Sequence, residues 1–396
     1  MLKIKMYPAG NGDAFLICSP GANILIDGGY VTTFNSSIQK DLKSIALRGE
    51  SLNLVIATHI DADHIYGLLA LLRANGNAAN PNIIRIDHVW HNSLRCLTRE
   101  TTHEPSAPTR MMLESICQRG YPKPAGNDAH PQEISAQQGS SLAHLLRVGD
   151  YTWNMGDGTQ LMSATSTPIV ELGSTLIRII GPSTERVDDL QRLWISELRQ
   201  KGYQGPFGSD EMLDDVFEFL CAHARGGARK KPALISANQN LQLNDIYEPD
   251  TAVPNGSSVA TIIELGNKRL LFLGDSWAED ILEQLQKLAA EGYSMLFDVI
   301  KVSHHGSACN TSPALLELID APVYLVSSNG TGHGHPDFPV LRAIVDRPAS
   351  FHRKIYLNYQ TPASIRLSQY QSSSGAGFTV NEGGNEWIEM ELAKNE

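Results

Sequence analysis

Apolar and polar residues alternate at the start of the chain. LKIKMYP and AFLICSP flank the turn AGNGD, and NILIDGG follows a Pro-Gly step, which predicts a β-hairpin and a third strand. SSIQKDLKSIALRG then changes to a helical period closed by glycine, LNLVIAT returns to strand, and IYGLLALLRANG to helix. Between the last two lies THIDADHIYG, a loop that sets His59, Asp61, Asp63 and His64 within six positions.

From about residue 95 to 250 the pattern loosens into polar loops rich in Pro, Gln, Ser and Gly, broken by the helical stretches MMLESICQRG, SLAHLLRVG and ERVDDLQRLWISELRQ. The strand STLIRIIGP interrupts this region and is assigned to the main sheet, so most of the region reads as an insertion on one core. Alternation then resumes with SVATIIEL, a turn at GNK, and RLLFLGD. The helix SWAEDILEQLQKLAAEG, the strand FDVIKVSHHG, the helix SPALLELID and the strand VYLVSS follow, with further strands at KIYLNYQ and in the C-terminal tail. Two strand-rich halves, each with helices, imply two packed sheets with helices outside, and in such layers polar residues at strand ends collect along one edge. No solenoid-type repeat is read.

Composition narrows the classes. At 396 residues, 42% hydrophobic and 19% charged, the chain is long enough for a substantial core and ordinary for a soluble globular protein. Its longest apolar runs, LNLVIA and RLLFLG, fall far short of the roughly 18 residues a spanning helix needs, and MLKIKMYPAG lacks the apolar core of a signal peptide. A cytoplasmic protein with no membrane partner is expected. Cys18, Cys96, Cys117, Cys221 and Cys309 lie far apart with no C-x-x-C spacing, which argues against a disulfide framework or a thiolate metal site. A net charge of −11, from 32 basic and 43 acidic residues, does not favour nonspecific binding along a nucleic-acid backbone. Phosphates would have to be met by a local basic cluster or by metal ions.

Four ligand-type side chains in six positions can fill parts of two metal shells. In an extended turn His59, Asp61 and Asp63 converge, and His64 enters from the adjoining side. Asp63 can alternatively cap the next helix, but capping leaves the other three unexplained. Later stretches repeat the pattern. RLLFLGDSW ends a strand with Asp275, a carboxylate costly at that position unless bound to something. FDVIKVSHHGSACNTS ends another with His304 and His305, and SSNGTGHGHPDF sets His333 and His335 beyond VYLVSS.

The order H-x-D-x-D-H, G-D after a strand, K-V-x-H-H-G-S and then G-H-P resembles the metallo-β-lactamase superfamily. Within it, the chain is similar to the hydrolase domain of the ComEC DNA-uptake proteins and their free-standing relatives. MYPAGNGDAFLI, NILIDGG and PNGSSVATIIELGNKRLLFLGD support the likeness, which spans about residues 1–75 and 250–345. The resemblance implies an α+β fold, a four-layer αββα sandwich with inserted helices and loops. Residues 1–396 would form a single hydrolase domain with an insertion at about 95–250. The resemblance also implies two divalent metal ions at the edge of the two sheets. His59 and Asp61 would serve the first, Asp63 and His64 the second, and Asp275 would bridge them, while Asp27 in IDGG organises the strand turn beneath.

Two departures from the superfamily's commoner pattern matter. Asp61 stands where a histidine is usual, and a further histidine expected ahead of the strand ending in Asp275 is replaced by Asn255, an oxygen donor toward metal or substrate; His91 is a distant alternative. Fewer imidazoles shift the first site toward Mn²⁺, with Zn²⁺ remaining open. For the last ligand of the second metal the resemblance leaves His304 and His335 open; the expectation adopted is His304 as ligand, with His305 and His335 facing substrate.

Such a site implies hydrolysis by a metal-activated water, with Asp275 central and His305 or His335 stabilising the developing charge or protonating the leaving oxygen. The ComEC-like motifs point to phosphodiester cleavage, of DNA first. A small phosphodiester or nucleotide signal is the alternative, and a third reading is a partner-binding subunit whose insertion forms the protein interface. ARGGARKKP, with Arg225, Arg229, Lys230 and Lys231, is the one obvious basic run on which a phosphate backbone could rest. It reads equally as a solvated linker, and no aromatic residues interleave it for base stacking.

Overall fold

The computed structural model describes residues 1–122, 140–224, 241–331 and 334–393. The basic run holding Arg225, Arg229, Lys230 and Lys231 lies outside them, as does His333. The chain opens with strands β1 (Leu2–Met6), β2 (Phe15–Ser19), β3 (Ala22–Ile26), β4 (Leu52–Ile56) and β5 (Ile86–Trp90). It continues with β6 (Ile169–Leu172), β7 (Thr175–Gly181), β8 (Ala260–Leu265), β9 (Lys268–Phe272), β10 (Val299–Lys301), β11 (Val323–Val326), β12 (Arg353–Leu357), β13 (Phe378–Glu382) and β14 (Trp387–Met390). A six-stranded sheet runs β14-β1-β2-β3-β4-β5 and an eight-stranded sheet β13-β12-β11-β10-β9-β8-β7-β6. STLIRIIGP pairs as β7 with β8 in the second sheet, antiparallel.

Side-chain alternation fixes how the sheets meet. Ile24, Ile26, Leu54 and Ile56 face Leu270, Phe272, Val299 and Leu325 in one buried cluster, with the Phe15 and Phe272 rings 5.4 Å apart edge to face. The intervening Leu25 and Val55 belong to a second cluster on the outer face of the first sheet, and Leu271 and Ile300 to a third on the outer face of the second. A slip of one residue would exchange these sets, so burial on both faces pins the register. The first outer face is covered by helices that include Ala62–Asn75, Ala107–Arg119, Leu142–Val148, Thr184–Gln200 and Glu211–His223. The second is covered by Ala278–Ala290, Pro313–Leu318 and Phe338–Val345 among others. The fold is therefore α+β, a four-layer αββα sandwich. Among the described residues no helix is long and apolar enough to cross a membrane.

A buried carboxylate ties together the helices Leu142–Val148 and Glu211–His223 and the segment at Tyr121. Glu218 accepts from the backbone N–H of Leu142 and of Ala143, each at 2.9 Å, and from the Tyr121 hydroxyl, and it pairs with His91 Nε2 at 2.8 Å. Burial pushes the Glu218 carboxyl up, but His91 and these donors outweigh it and hold it low. Two of the orphan donors of helix Leu142–Val148 are satisfied in this way. His91, the alternative first-metal ligand, is spent on this hub beneath the insertion.

Candidate metal centre

Strand ends from both sheets converge on one edge. At the end of β3, Asp27 takes a left-handed conformation (φ 56°). Its carboxylate accepts from Thr58 N at 2.8 Å and Thr58 Oγ1 at 2.7 Å, and it meets His64 Nδ1 at 2.8 Å. With Asp27 accepting at Nδ1, His64 is oriented with Nε2 inward. Helix Ala62–Asn75 can deliver His64 there because its first turns dock backbone to backbone on the IDGG turn. Gly28 N–H donates to His64 O at 2.7 Å and Gly67 N–H to Gly29 O at 2.8 Å. A Cβ on Gly67 would meet Gly28 O at 1.9 Å, so glycine is required for that approach.

Asp61, not Asp63, occupies the N-cap position of this helix, and its side chain makes no cap hydrogen bond. Asp63 sits inside the first turn and accepts from Asn11 Nδ2 at 2.9 Å. Capping therefore does not account for either acid.

Asp275 follows the left-handed Gly274 (φ 53°) at the end of β9. Its Oδ2 stands 3.9 Å from His59 Nε2, 3.5 Å from His64 Nε2, 3.7 Å from His304 Nε2 and 3.5 Å from His305 Nε2. These separations are too long for hydrogen bonds. They match donors sharing an ion: ligands about 2.0–2.1 Å from a tetrahedral cation stand roughly 3.4 Å apart. His59 Nε2, His64 Nε2 and Asp275 Oδ1 are buried with no hydrogen-bond partner, a costly state that a cation would relieve for the ring nitrogens. Four overlapping donor sets form, each with its ligand atoms within 4.8 Å of one another: His59, His64 and Asp275; Asp63, His64 and His305; Asp275, His304 and His305; and Asp13, Asp27 and His64. Asp61 Oδ2 lies 3.8 Å from His59 Nε2 at the rim, with 38% of its side chain exposed. The residues present fit two divalent cations with mixed nitrogen and oxygen ligands.

The His-His-Gly turn after β10 aims two adjacent rings at the same point. His304 (φ 45°), His305 (φ 57°) and Gly306 (φ 82°) are all left-handed, which costs roughly 1–2 kcal/mol for each histidine. Local bonds hold the turn, including His304 N–H to Gly274 O at 3.0 Å and Ser307 N–H to His304 O at 2.9 Å. His304 Nδ1 meets Asn310 Oδ1 at 2.7 Å, and Asn310 Nδ2 donates to Asp250 Oδ2 at 2.9 Å. Asp250 Oδ2 also accepts from Asn255 Nδ2 at 2.7 Å. Asn255 thus joins the network that steadies His304. His305 Nδ1 meets Ser327 O at 3.0 Å, and its Nε2 lies 3.8 Å from Asp63 Oδ2. Both rings face the centre, and it is His305, expected to face substrate, that shares a donor set with Asp63 and His64. His335 is buried nearby, its ring 5.2 Å from that of His304 and its Nδ1 3.4 Å from Asp337 Oδ2.

Charge is dense here. Burial favours a neutral ring at His305, but Asp275 and then Asp13 outweigh it and lift its pKa to about 10; Asp275 and Asp27 likewise outweigh burial at His64 and raise it above the usual imidazole range. Burial, reinforced by His64, pushes His59 well below the usual imidazole range. Burial raises Asp275, yet His305 and His64 more than reverse that. Without metal the acids keep protons on His64 and His305, so cation uptake must release protons and weaken in acid.

Asp13, Lys301, Asp250 and Asn310 were not singled out from sequence. One signal existed for Lys301: in FDVIKVS it falls on the same alternate set as Val299, a lysine aimed into the core.

The four-layer sandwich thus carries, at one edge, a histidine-aspartate cluster able to hold metal ions. The sequence model of the metallo-β-lactamase superfamily matches residues 7–107, which include the H-x-D-x-D-H loop. Among solved structures, the chain is similar to the metallo-β-lactamase fold protein YhfI from Bacillus subtilis, with 9% identity, 98% of this chain and 100% of that chain covered, and a TM-score of 0.36. Tm1679, a metal-dependent hydrolase of the β-lactamase superfamily, gives 11% identity, 98% and 99% coverage and a TM-score of 0.38. A diphosphatase from the PhnP family gives 8% identity, 99% and 98% coverage and a TM-score of 0.39. No curated protein matches the chain in sequence.

Proposed function

We propose that the protein is a metal-dependent hydrolase of phosphodiesters, acting on DNA, with two divalent cations, Mn²⁺ or Zn²⁺, held by His59, Asp61, Asp63, His64, Asp275, His304 and His305. The observation that carries the reading is the Asp275 carboxylate set 3.5–3.9 Å from four imidazole nitrogens, spacings that suit donors sharing cations. When bound, such cations supply Lewis acidity to a phosphoryl oxygen and make water acidic enough to attack near neutral pH. Asp275 holds the two donor sets at a common carboxylate. His335 stands beside His304 with Asp337 at its Nδ1, placed to keep a proton and give it to the leaving oxygen. Asn255, through Asp250 and Asn310, holds the His304 ring in place.

The ComEC-like motifs favour a phosphodiester, and the basic run from Arg225 to Lys231 offers a resting place for a nucleic-acid backbone. The test is incubation of Mn²⁺-loaded and Zn²⁺-loaded protein with plasmid, single-stranded DNA, RNA and bis-p-nitrophenyl phosphate. Cleavage of DNA supports the proposal. Cleavage of the small chromogenic diester alone moves the substrate to a small phosphodiester. No hydrolysis of any of them with either metal sinks the reading and leaves a partner-binding subunit.

A further inference from the structure

Beneath Asp275 lies a buried charge that the proposed chemistry does not use. Lys301 ends β10 two residues after Val299, which faces the core between the sheets, so its stem is carried into the seam. There the ammonium pairs with Asp13, donates to the Gly274 carbonyl at 2.7 Å and stands 3.7 Å from Asp275 Oδ1. Lys301 and Asp13 are each only 1% exposed. The separation from Asp275 is too long for a hydrogen bond, so the attraction there is coulombic, and burial makes it strong. Asp13 in turn lies 3.2 Å from His305 Nδ1.

We infer that Lys301 is a positioning residue, a built-in third cation that is held by Asp13 and keeps Asp275 turned with Oδ2 toward the imidazoles. The inference rests on the reading of the cluster as a metal centre. Three kinds of oxygen surround the ammonium: the Asp13 carboxylate, Asp275 Oδ1 and the Gly274 carbonyl. That is the hard donor set a small divalent ion takes. An ammonium fixed there cannot dissociate, so the bridging carboxylate stays oriented whether or not metal is present. Asp13 has two duties, to balance Lys301 and to steady His305. With Asp13 neutralised, the nearest carboxylate to the ammonium becomes Asp275, and Lys301 then competes with the metals for the bridge.

The test uses the full chain and reads metal binding, not hydrolysis. Asp13→Asn, Lys301→Met, their double variant and Lys301→Ala are compared with wild type. Dissociation constants for Mn²⁺ and Zn²⁺ come from competition with a chromophoric chelator, bound ions are counted by elemental analysis, and folding is followed by circular dichroism and thermal melting. Lys301→Met, which frees Asp275 Oδ1, should weaken metal binding several-fold; Asp13→Asn, which turns the ammonium onto Asp275, should weaken it further, by about 10–100-fold, and adding Lys301→Met to Asp13→Asn should bring affinity back to that of Lys301→Met. Lys301→Ala, which empties the place of the ammonium, should hold one divalent ion more than wild type. Folded variants with wild-type affinity and only lower melting temperatures would make the pair structural and overturn the inference. So would a double variant as weak as Asp13→Asn. Should Asp13→Asn not fold, the ion count of Lys301→Ala decides, and a count equal to wild type overturns the inference. A wild-type chain that binds no divalent ion removes the metal-centre reading as well, whereas normal wild-type binding with the wrong variant pattern removes this inference alone.

Discussion

Gly67→Ala should cripple the metal centre without touching any ligand. The new Cβ would stand 1.9 Å from Gly28 O and 2.6 Å from Gly28 C, both backbone atoms that no rotamer change can move. Helix Ala62–Asn75 and the IDGG turn must therefore separate by roughly 1 Å, an overpacking that costs about 1–3 kcal/mol. The hydrogen bond from Gly67 N–H to Gly29 O and the 2.8 Å contact between His64 and Asp27 lie on that same seam and would stretch beyond bonding range. Losing a buried, charge-assisted bond adds about 1.5–3 kcal/mol. Together these approach half of the about 5–15 kcal/mol by which a folded protein is stable. The melting temperature should fall on the order of 10 °C, and displacement of His64 by about 1 Å should lower hydrolysis about 100-fold. Gly156→Ala is the control, because nothing lies within 4 Å of a Cβ there. Thermal melting and chelator competition on both variants make the comparison. If Gly67→Ala melts and binds metal like Gly156→Ala, the backbone docking that is held to place His64 is wrong.

Asp275→Asn removes the carboxylate shared by the donor sets; hydrolysis should vanish while the sheets still fold, and a folded variant keeping more than about a tenth of the wild-type rate, a loss below about 1.4 kcal/mol of barrier, would contradict the dinuclear assignment. Asp214 tests a pH dependence remote from the metals. Burial, opposed by the Ser209 bond and by Arg147, raises its carboxyl to about 7 from 3.8. A raised acid stabilises the fold fully below its unfolded pKa and loses that contribution as pH rises through the folded value. Stability should therefore fall by up to about 1.4 kcal/mol per pH unit between about pH 4 and 7; Asp214→Asn should flatten that slope in urea unfolding, and an unchanged slope would refute the assignment. Replacing Arg225, Arg229, Lys230 and Lys231 together with alanine should weaken DNA cleavage and flatten its salt dependence while sparing bis-p-nitrophenyl phosphate. Equal loss on both substrates would instead give the segment a role in the fold or the centre.

Alternation and helical period were enough to find the strands that carry the centre. β3, β4, β9 and β10 each lie in an apolar run that gives way to a polar residue within three positions of the strand's end, and that contrast is local. What was missed lacks such a contrast. β5 is hidden in NIIRIDHVWHN, where Asp87 and His88 interrupt the apolar positions, and its strand character comes from pairing with β4. Helix Glu211–His223 is buried on most sides, so FEFLCA shows no clean polar face. The Lys301–Asp13 pair and the Asn255–Asp250–Asn310–His304 chain join residues from separate loops, and no spacing along the sequence announces a contact made only when two sheets close. The left-handed His304 and His305 explain why counting strands could not divide their roles: a turn with consecutive positive φ values sends neighbouring side chains to one place instead of opposite ones.

The pairing of β1 with β14 has a mechanical side. Leu2 lies opposite Met390 and Lys5 opposite Trp387, antiparallel, so the two ends of the chain leave the ladder at the same end. Tension on the termini loads this pair as a zipper, one hydrogen bond at a time, and not in shear. β13 comes next and is also an edge strand, paired among the described residues with β12 alone. An unfoldase pulling on the C-terminus would peel both from sheet edges, and would reach the turns bearing His304, His305 and Asp275 only after β12 and β11, each an edge strand once its neighbour has gone, had been stripped in turn. What protects the histidine turn is the number of strands that must leave before it.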